Sequence, residues 1–538
     1  METTNNILAA LQWPVLFSNL IKGGQVQAQN CSSAAITAPT LYGAEILSID
    51  AVPLTDFAQP ILQPENSWFP VNVTGLDACN VTITYTHPGY NDTIHAYYLL
   101  PANWNGRYMS NGGGGYVTGG DLTGLALSAG HGYAAGGTDG GHSATANTSS
   151  WGLSSPGNVN WFLLQDFASV SLADAAIMGK QLAESYYGTA PEYSYWAGCS
   201  TGGRQGYMMA QRYPEIFDGI LAVAPAINWH KFLMGEYYPQ LVMNLLGYYP
   251  SACEFSAIVN ATLAACDNLD GVVDGIISRP DICTFNISSV AGKQVTCPDG
   301  SSTTVSSAAV KVAKATYEGA RSSSGKFLWY GLEIGSPLVP LAGTTCSNGN
   351  TNCTSVGGFP IPPDWIRTFV LANTSYDVTS MSHADYDRVF HNSVQRFASI
   401  IGTDDPDLSE YRASGGKLLT WHGLSDQLIP PAGTRDYYSR VKQLDPNVAD
   451  FYRIFEAPGV QHCGGGAGAY PGYTLDALVA WVENGTAPAT LKAAGVTTDG
   501  APTTALLCQY PLVNVYMGGD VNAAASYKCV KRTSSRHQ

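Results

Sequence analysis

Residues 192–214 read "EYSYWAGCSTGGRQGYMMAQRYP". The first seven are rich in aromatic and other strand-forming residues, whereas "TGGRQGYMMAQRYP" supplies helix formers and stops at a proline. Ser200 therefore falls where a strand turns into a helix, inside Gly198-x-Ser200-x-Gly202. That is the pattern by which a sharp strand-to-helix turn exposes a hydroxyl as a nucleophile. In a chain with 58 glycines the five-residue pattern alone also fits an ordinary glycine turn, and its surroundings decide between the two.

Working outward, short β-rich runs ("VTITYTH", "HAYYLLP", "RYMSNGGGG", "SYWAG", "GILAVAPA") alternate with glycine turns and helical stretches between residues 81 and 230. This alternation predicts an α/β sheet. From 227 to 404 the texture shifts to Cys, Asn, Ser and Pro with little strand pattern, and the sheet pattern returns at "GGKLLTWHGLSDQLIPP". The expected organisation is a possible signal peptide over 1–28, a first core part over 29–226, an inserted lid over 227–404 and a second core part over 405–538.

A chain of 538 residues with 45% hydrophobic and 12% charged residues buries a large core and is not of disordered composition. Its formal charge of -15 excludes a nucleic-acid partner, which would require clustered Lys and Arg. No apolar run is long enough to predict a membrane-spanning helix. The apolar N-terminal stretch from Ile7 to Phe17, followed by small residues at Val26 and Ala28, suggests a cleaved secretion signal, although it lacks a basic flank and is interrupted by Gln12 and Pro14. Twelve cysteines fit an oxidising compartment. The triplets opening at Asn30, Asn72, Asn80, Asn91, Asn147, Asn260, Asn286, Asn352, Asn373 and Asn484 fit glycosylation of a secreted chain.

If Ser200 is a nucleophile, an acid and a histidine should follow it in that order. Asp426 lies in the loop after the apolar strand "KLLTWHG", at the strand end where α/β sites are built; an Asx turn is the other reading of this residue. His462 lies in the glycine-rich "APGVQHCGGG", downstream of Asp426 and before a helix. Cys199 directly precedes Ser200 and Cys463 directly follows His462, so a meeting of the serine and histidine side chains brings the two thiols within bonding reach. The backbone N–H of Thr201 is the first expected oxyanion donor, and the second is expected from "NGGGG", near Gly114, where missing side chains let backbone approach a substrate. His142 in "GTDGGHSA" is expected to make a structural hydrogen bond near the site.

The combination of "GCSTGGRQG", "GGKLLTWHGLSDQLIP", "GVQHCGGG", "WNGRYMSNGGGG" (104–115) and "CDNLDGVVDGII" (266–277) resembles the family of fungal tannases and feruloyl esterases over most of the chain. The resemblance implies an α/β-hydrolase core with a large inserted lid and a secreted carboxylic ester hydrolase. It implies the triad Ser200, Asp426 and His462 with a Cys199–Cys463 disulfide. It also implies a structural calcium ion held by Asp267, Asp270, Asp274 and the carbonyls of Val272 and Ile276, in a loop closed by Cys266–Cys283. Read by themselves, the three aspartates are equally solvated residues of Asp-Gly turns; shared cation binding relieves their repulsion. The resemblance further implies Cys31–Cys79 and Cys508–Cys529; proximity in sequence suggests Cys346–Cys353, which leaves Cys253 for Cys297. Esters of hydroxycinnamic acids, feruloyl or p-coumaroyl, are the expected substrates. Galloyl esters, a catalytically inactive calcium-binding recognition module and, more distantly, a peptidase are the alternatives.

Overall fold

The computed structural model describes residues 30–532 apart from 62–67, 70, 146, 349 and 498–499; the signal-peptide expectation for 1–28 lies outside the described residues. Nine strands form the central sheet: β1 (Glu45–Gln59), β2 (Val73–Thr86), β3 (Ile94–Pro101), β4 (Arg107–Asn111), β5 (Ala134–Thr138), β6 (Tyr193–Cys199), β7 (Gly219–Val223), β8 (Lys417–Gly423) and β9 (Tyr452–Ala457). Their spatial order is β1-β2-β3-β5-β4-β6-β7-β8-β9. The first three strands and β5 pair antiparallel. From β5 onward every pairing is parallel, with Tyr108 opposite Ser194, Trp196 opposite Ile220 and Trp421 opposite Phe455.

The strands of the parallel half are almost wholly buried because helices cover both of its faces. Every residue of β7, "GILAV", is buried. The helices that matter for the site are α1 (Leu122–Gly130), α2 (Trp161–Ala168), α3 (Val170–Tyr187), α4 (Thr201–Arg212), α5 (Trp229–Leu246), α6 (Ala252–Cys266), α7 (Ser307–Glu318), α8 (His383–Ile401), α9 (Pro431–Leu444) and α10 (Thr474–Asn484). On one face of the sheet α3, α4 and α9 contribute Ala176, Met178, Tyr207, Met209 and Tyr437 to a core shared with Tyr98, Tyr108 and Trp196. On the other, Leu475, Leu478 and Trp481 of α10 pack on Tyr195, Leu221 and Trp421. The result is a three-layer α/β fold.

The chain leaves the sheet after Val223 and rejoins it at Lys417. The intervening segment carries α5 to α8 and two apolar cores of its own. One, with Trp229, Phe232, Trp365 and Phe390, merges with Trp151 and Phe167 of the sheet-bearing part; the other joins Met243, Phe255, Ile258 and Val310. Three disulfides lie inside the segment, Cys253–Cys297, Cys266–Cys283 and Cys346–Cys353. Cys31–Cys79 ties the N-terminal segment to β2, and Cys508–Cys529 ties the small antiparallel hairpins that follow α10. Among the described residues no single helix is long and apolar enough to cross a membrane.

Candidate active site

Ser200 sits between β6 and α4 with φ 62° and ψ -121°, a conformation that costs a non-glycine residue of order 1–3 kcal/mol and persists only where its surroundings impose it. Its N–H donates to Val223 O at 3.0 Å, and its carbonyl accepts from Arg204 N at 2.9 Å and Ala226 N at 3.0 Å. The two glycines of the motif follow from the tightness of the turn. A Cβ at Gly198 would lie 2.6–2.7 Å from the backbone of Gly202, and one at Gly202 would lie 2.9 Å from Gly113 O. A side chain at either position would force strand and helix apart, so the pattern here is imposed by packing.

The glycine run that ends β4 is laced to the same turn. Gly202 N donates to Gly113 O at 2.9 Å, Gly113 N to Gln205 Oε1 at 3.1 Å, and the Thr201 hydroxyl to Gly115 O at 2.7 Å. Thr201 is the first residue of α4, where a helix leaves its N–H groups directed outward. Of the run, Gly115 reaches the wall of the cavity containing Ser200, while Gly114 stands one residue back with its carbonyl accepting Val117 N at 2.9 Å. His142 lies beyond this wall: its Nε2 hydrogen-bonds Tyr116 O at 2.8 Å and its ring stacks on Trp151.

Asp426 and His462 occupy the loops after the carboxyl ends of β8 and β9, beside the end of β6 that carries Ser200. His462 Nδ1 lies 2.9 Å from Asp426 Oδ2. The carboxylate is fully buried, and its Oδ1 accepts the N–H groups of Leu428 and Ile429, both at 2.9 Å. Burial by itself would push this carboxyl up, but the neighbouring charge of His462 and hydrogen bonds from His422 and His462 outweigh it and hold Asp426 below the usual carboxylate range. His462 is steadied by its own N–H, which donates to Gln427 Oε1 at 3.0 Å.

His422 was not anticipated. It is buried on β8, with Nε2 3.0 Å from both Asp426 Oδ2 and Ile429 O, and Nδ1 2.9 Å from the Thr434 hydroxyl. Two acceptors around Nε2 require that nitrogen to carry a proton. His422 thus gives Asp426 a second imidazole donor. In the sequence its only signal is a polar residue interrupting the apolar strand "KLLTWHG" four positions before the acid.

Cys199 and Cys463 form a disulfide with Cα atoms 5.8 Å apart, and Ser200 and His462 line one cavity. The remaining wall is apolar, from Trp229, Phe232 and Leu233 on α5 to Phe359, Ile361, Leu428 and Ile429, with Glu236 as its one carboxylic residue. Fully buried Arg204 of α4 holds this wall to the Ser200 turn, donating to Ala168 O and Phe167 O at 2.9 and 3.2 Å. Its guanidinium lies 5.4 Å from the Phe167 ring centre and 5.7 Å from that of Trp229.

The aspartate-rich loop is separate from this cavity. Asp267 accepts the N–H groups of Asp274 and Gly275 at 3.2 and 3.0 Å, Asp270 that of Val272 at 3.0 Å, and Asp274 that of Ile276 at 3.0 Å. Burial, and then the charges of Asp270 and Asp267, push Asp274 up to about 6. The nearby Arg279 is paired with Asp281, and among the described residues no Lys or Arg forms an ion pair with any of the three.

The family model for tannase and feruloyl esterase matches residues 79–530. A "Probable feruloyl esterase" of Arthroderma benhamiae is 42% identical over 549 aligned positions, covering 100% of both chains. Among solved structures, a tannin acyl hydrolase from Aspergillus niger superposes with a TM-score of 0.84 at 28% identity, covering 93% of this chain and 95% of that one. Feruloyl esterase B from Aspergillus oryzae superposes at 0.76 and 27% identity, covering 91% and 97%. Sequence match and shared architecture extend across the sheet, the inserted segment and the strands bearing Ser200, Asp426 and His462, and the chain belongs to the tannase and feruloyl esterase family of carboxylic ester hydrolases.

Proposed function

We propose that the protein is an extracellular serine esterase that cleaves hydroxycinnamoyl esters, feruloyl or p-coumaroyl, from plant cell-wall sugars. The observation that carries this reading is the lining of the cavity, where Ser200 and a carboxylate-bound histidine stand beside aromatic and aliphatic side chains of the kind that pack against an aromatic acid. His462 takes the proton of Ser200 as the hydroxyl oxygen attacks the ester carbonyl, and Asp426 holds the imidazole in the tautomer this requires. The Thr201 N–H and an N–H of the Gly114–Gly115 pair stabilise the oxyanion. The imidazolium returns its proton to the departing alcohol, leaving an acyl-serine; a water deprotonated by His462 then releases the acid and restores Ser200.

Galloyl esters are the second reading, supported by the likeness to the tannin acyl hydrolase. Relative kcat/KM for methyl ferulate, methyl p-coumarate and methyl gallate separates the two. Ser200→Ala should abolish turnover of all three while leaving the fold intact, and retained turnover in that variant rejects the mechanism. Absence of activity toward an activated aryl ester would favour the recognition-module alternative.

Extracellular placement draws support from six disulfides. Glycosylation draws it from the exposure of Asn91, Asn147, Asn260, Asn286, Asn352, Asn373 and Asn484. For the loop of Asp267, Asp270 and Asp274 the proposal is a structural calcium ion, supported by the chemistry of its donors. Its donors would be hard oxygens, from the three carboxylates and the carbonyls of Val272 and Ile276, and among the described residues no Lys or Arg forms an ion pair with the three aspartates, the nearby Arg279 being paired with Asp281.

A further inference from the structure

Glu236 is 4% exposed, and neither of its side-chain oxygens has a hydrogen-bond partner among the described residues. A buried polar group left in this condition is costly, which makes it a signal for a ligand. Trp229, Phe232, Leu233 and Glu236 recur at i, i+3, i+4 and i+7 on α5, so they share one helix face, and all four line the cavity of Ser200 and His462. The helix is anchored beside the nucleophile, since Ala226 N donates to Ser200 O at 3.0 Å. From Trp229 to Glu236 the face runs two turns, about 10 Å, apolar until it ends at the carboxyl.

We propose that Glu236 is the polar recognition point of the cavity shared with Ser200 and His462 and binds a phenolic hydroxyl of the substrate acid. The inference rests on the aromatic-ester reading above and deepens it. Burial, followed by the charge of Asp426, raises Glu236 well above the ordinary carboxylic range, which favours the neutral acid, a group with one donor and acceptor capacity to spare. A phenol also both donates and accepts, and the two groups satisfy each other without burying a net charge. An acid lacking the hydroxyl leaves Glu236 unpaired in the complex, which is the condition under which a site discriminates strongly. A hydroxycinnamoyl group carries its para hydroxyl one vinyl unit further from the ester carbonyl than a galloyl ring does, so the two acids would present that hydroxyl to Glu236 at different depths.

The test uses the full-length enzyme and its Glu236→Leu and Glu236→Gln variants, with kcat/KM measured on matched ester pairs: methyl p-coumarate against methyl cinnamate, and methyl gallate against methyl benzoate. Wild type should prefer p-coumarate over cinnamate by at least about tenfold, as expected for a hydrogen bond to a buried group. Glu236→Leu should bring that ratio close to one, and Glu236→Gln, which keeps a donor and an acceptor, should restore part of it. Since Glu236 breaks no internal hydrogen bond when replaced, both variants should melt no lower than wild type, and a lost preference in a folded variant cannot come from unfolding. A collapse confined to the gallate and benzoate pair would retain phenol recognition by Glu236 but transfer it to galloyl esters. A hydroxyl preference unchanged by Glu236→Leu, or both members of each pair lost in proportion, overturns the assignment of Glu236 while leaving the esterase reading intact. A wild-type enzyme that cleaves none of the four esters overturns both.

Discussion

Cys199 and Cys463 are bonded across a sequence separation of 264 residues, with Cα atoms 5.8 Å apart, and each is the chain neighbour of a residue lining the reaction cavity. Among the six disulfides of the described residues it alone joins the neighbours of Ser200 and His462, holding two distant parts of the chain at one place. The backbone is conformationally set on both sides of the bond, at Ser200 next to Cys199 with φ 62° and at Cys463 itself with φ 61°.

Replacing both cysteines with alanine should lower kcat by about 10- to 100-fold, because small losses of alignment between nucleophile and base carry penalties of that size. In the chain-entropy account a loop this long contributes roughly 5 kcal/mol; the melting temperature should fall, while far-ultraviolet circular dichroism at room temperature stays close to wild type. An activity loss that merely tracks the unfolded fraction would show that the bond stabilises the fold and does not align the pair.

In the proposed mechanism His422 acts as a positioning residue, since its contact with the site runs through Asp426. His422→Leu removes one donor from a fully buried carboxylate that keeps His462, Leu428 N and Ile429 N. Loss of a hydrogen bond to a buried charge is worth about 1.5–3 kcal/mol, so kcat should fall about 10- to 100-fold with KM nearly unchanged. His422→Gln, which places an amide N–H near the position of Nε2, should recover much of the loss. Equal failure of both variants, or a change confined to KM, would remove His422 from the relay.

The two histidines show where sequence reading works and where it stops. Ser200, Asp426 and His462 were legible because each sits in a local pattern with a mechanical cause: glycines where a Cβ would strike backbone, a loop at a strand end, a cysteine adjoining each of the paired loops. The α/β sheet was legible from its apolar parallel strands. His422 was not, because a histidine inside a strand carries no local mark distinguishing a carboxylate partner from a core residue. Glu236 was hidden for a different reason. It lies in the inserted segment, whose helices pack by mutual burial and not by strand periodicity, and its meaning depends on Ser200 being across a cavity. Within the glycine run, sequence pointed to Gly114, while the backbone brings Gly115 to the cavity wall; a one-residue difference of this kind is set by φ and ψ, which composition does not encode.

The aspartate loop makes stability calcium-dependent if the ion is bound. Exhaustive chelation should lower the melting temperature by several degrees, and added calcium should restore it, since a ligand that binds only the folded state stabilises by mass action. Asp270→Asn combined with Asp274→Asn should abolish the calcium increment and raise the melting temperature of the chelated protein by relieving repulsion. A melt indifferent to both chelator and calcium rejects the site.

Away from the cavity, His87 is held between Asp92 Oδ2 at 2.6 Å from Nδ1 and Asp174 Oδ2 at 3.1 Å from Nε2, while Asp166, 1% exposed, has no hydrogen-bond partner for either carboxyl oxygen among the described residues. Burial, opposed by the charge of His87 and reinforced by Asp92 and Asp174, pushes Asp166 up to about 8. The hydrogen bond to Asp174, opposed by burial and aided by Asp92, raises His87 to about 9. Both folded-state values lie above those of the unfolded chain, about 3.9 for Asp and 6.5 for His. The folded protein therefore binds more protons than the unfolded one, and stability must fall as pH rises. The Asp166 contribution is complete below about pH 4 and lost by about pH 8; that of His87 is complete below about pH 6.5 and lost through about pH 9. Urea unfolding of wild type and Asp166→Asn at successive pH values between 5 and 8 isolates the first. The variant cannot ionise at this position, so its stability should decline less steeply, by up to the one-proton limit of about 1.4 kcal/mol per pH unit. Parallel declines in the two proteins would show that Asp166 is already ionised in the folded state and that His87 balances the cluster alone.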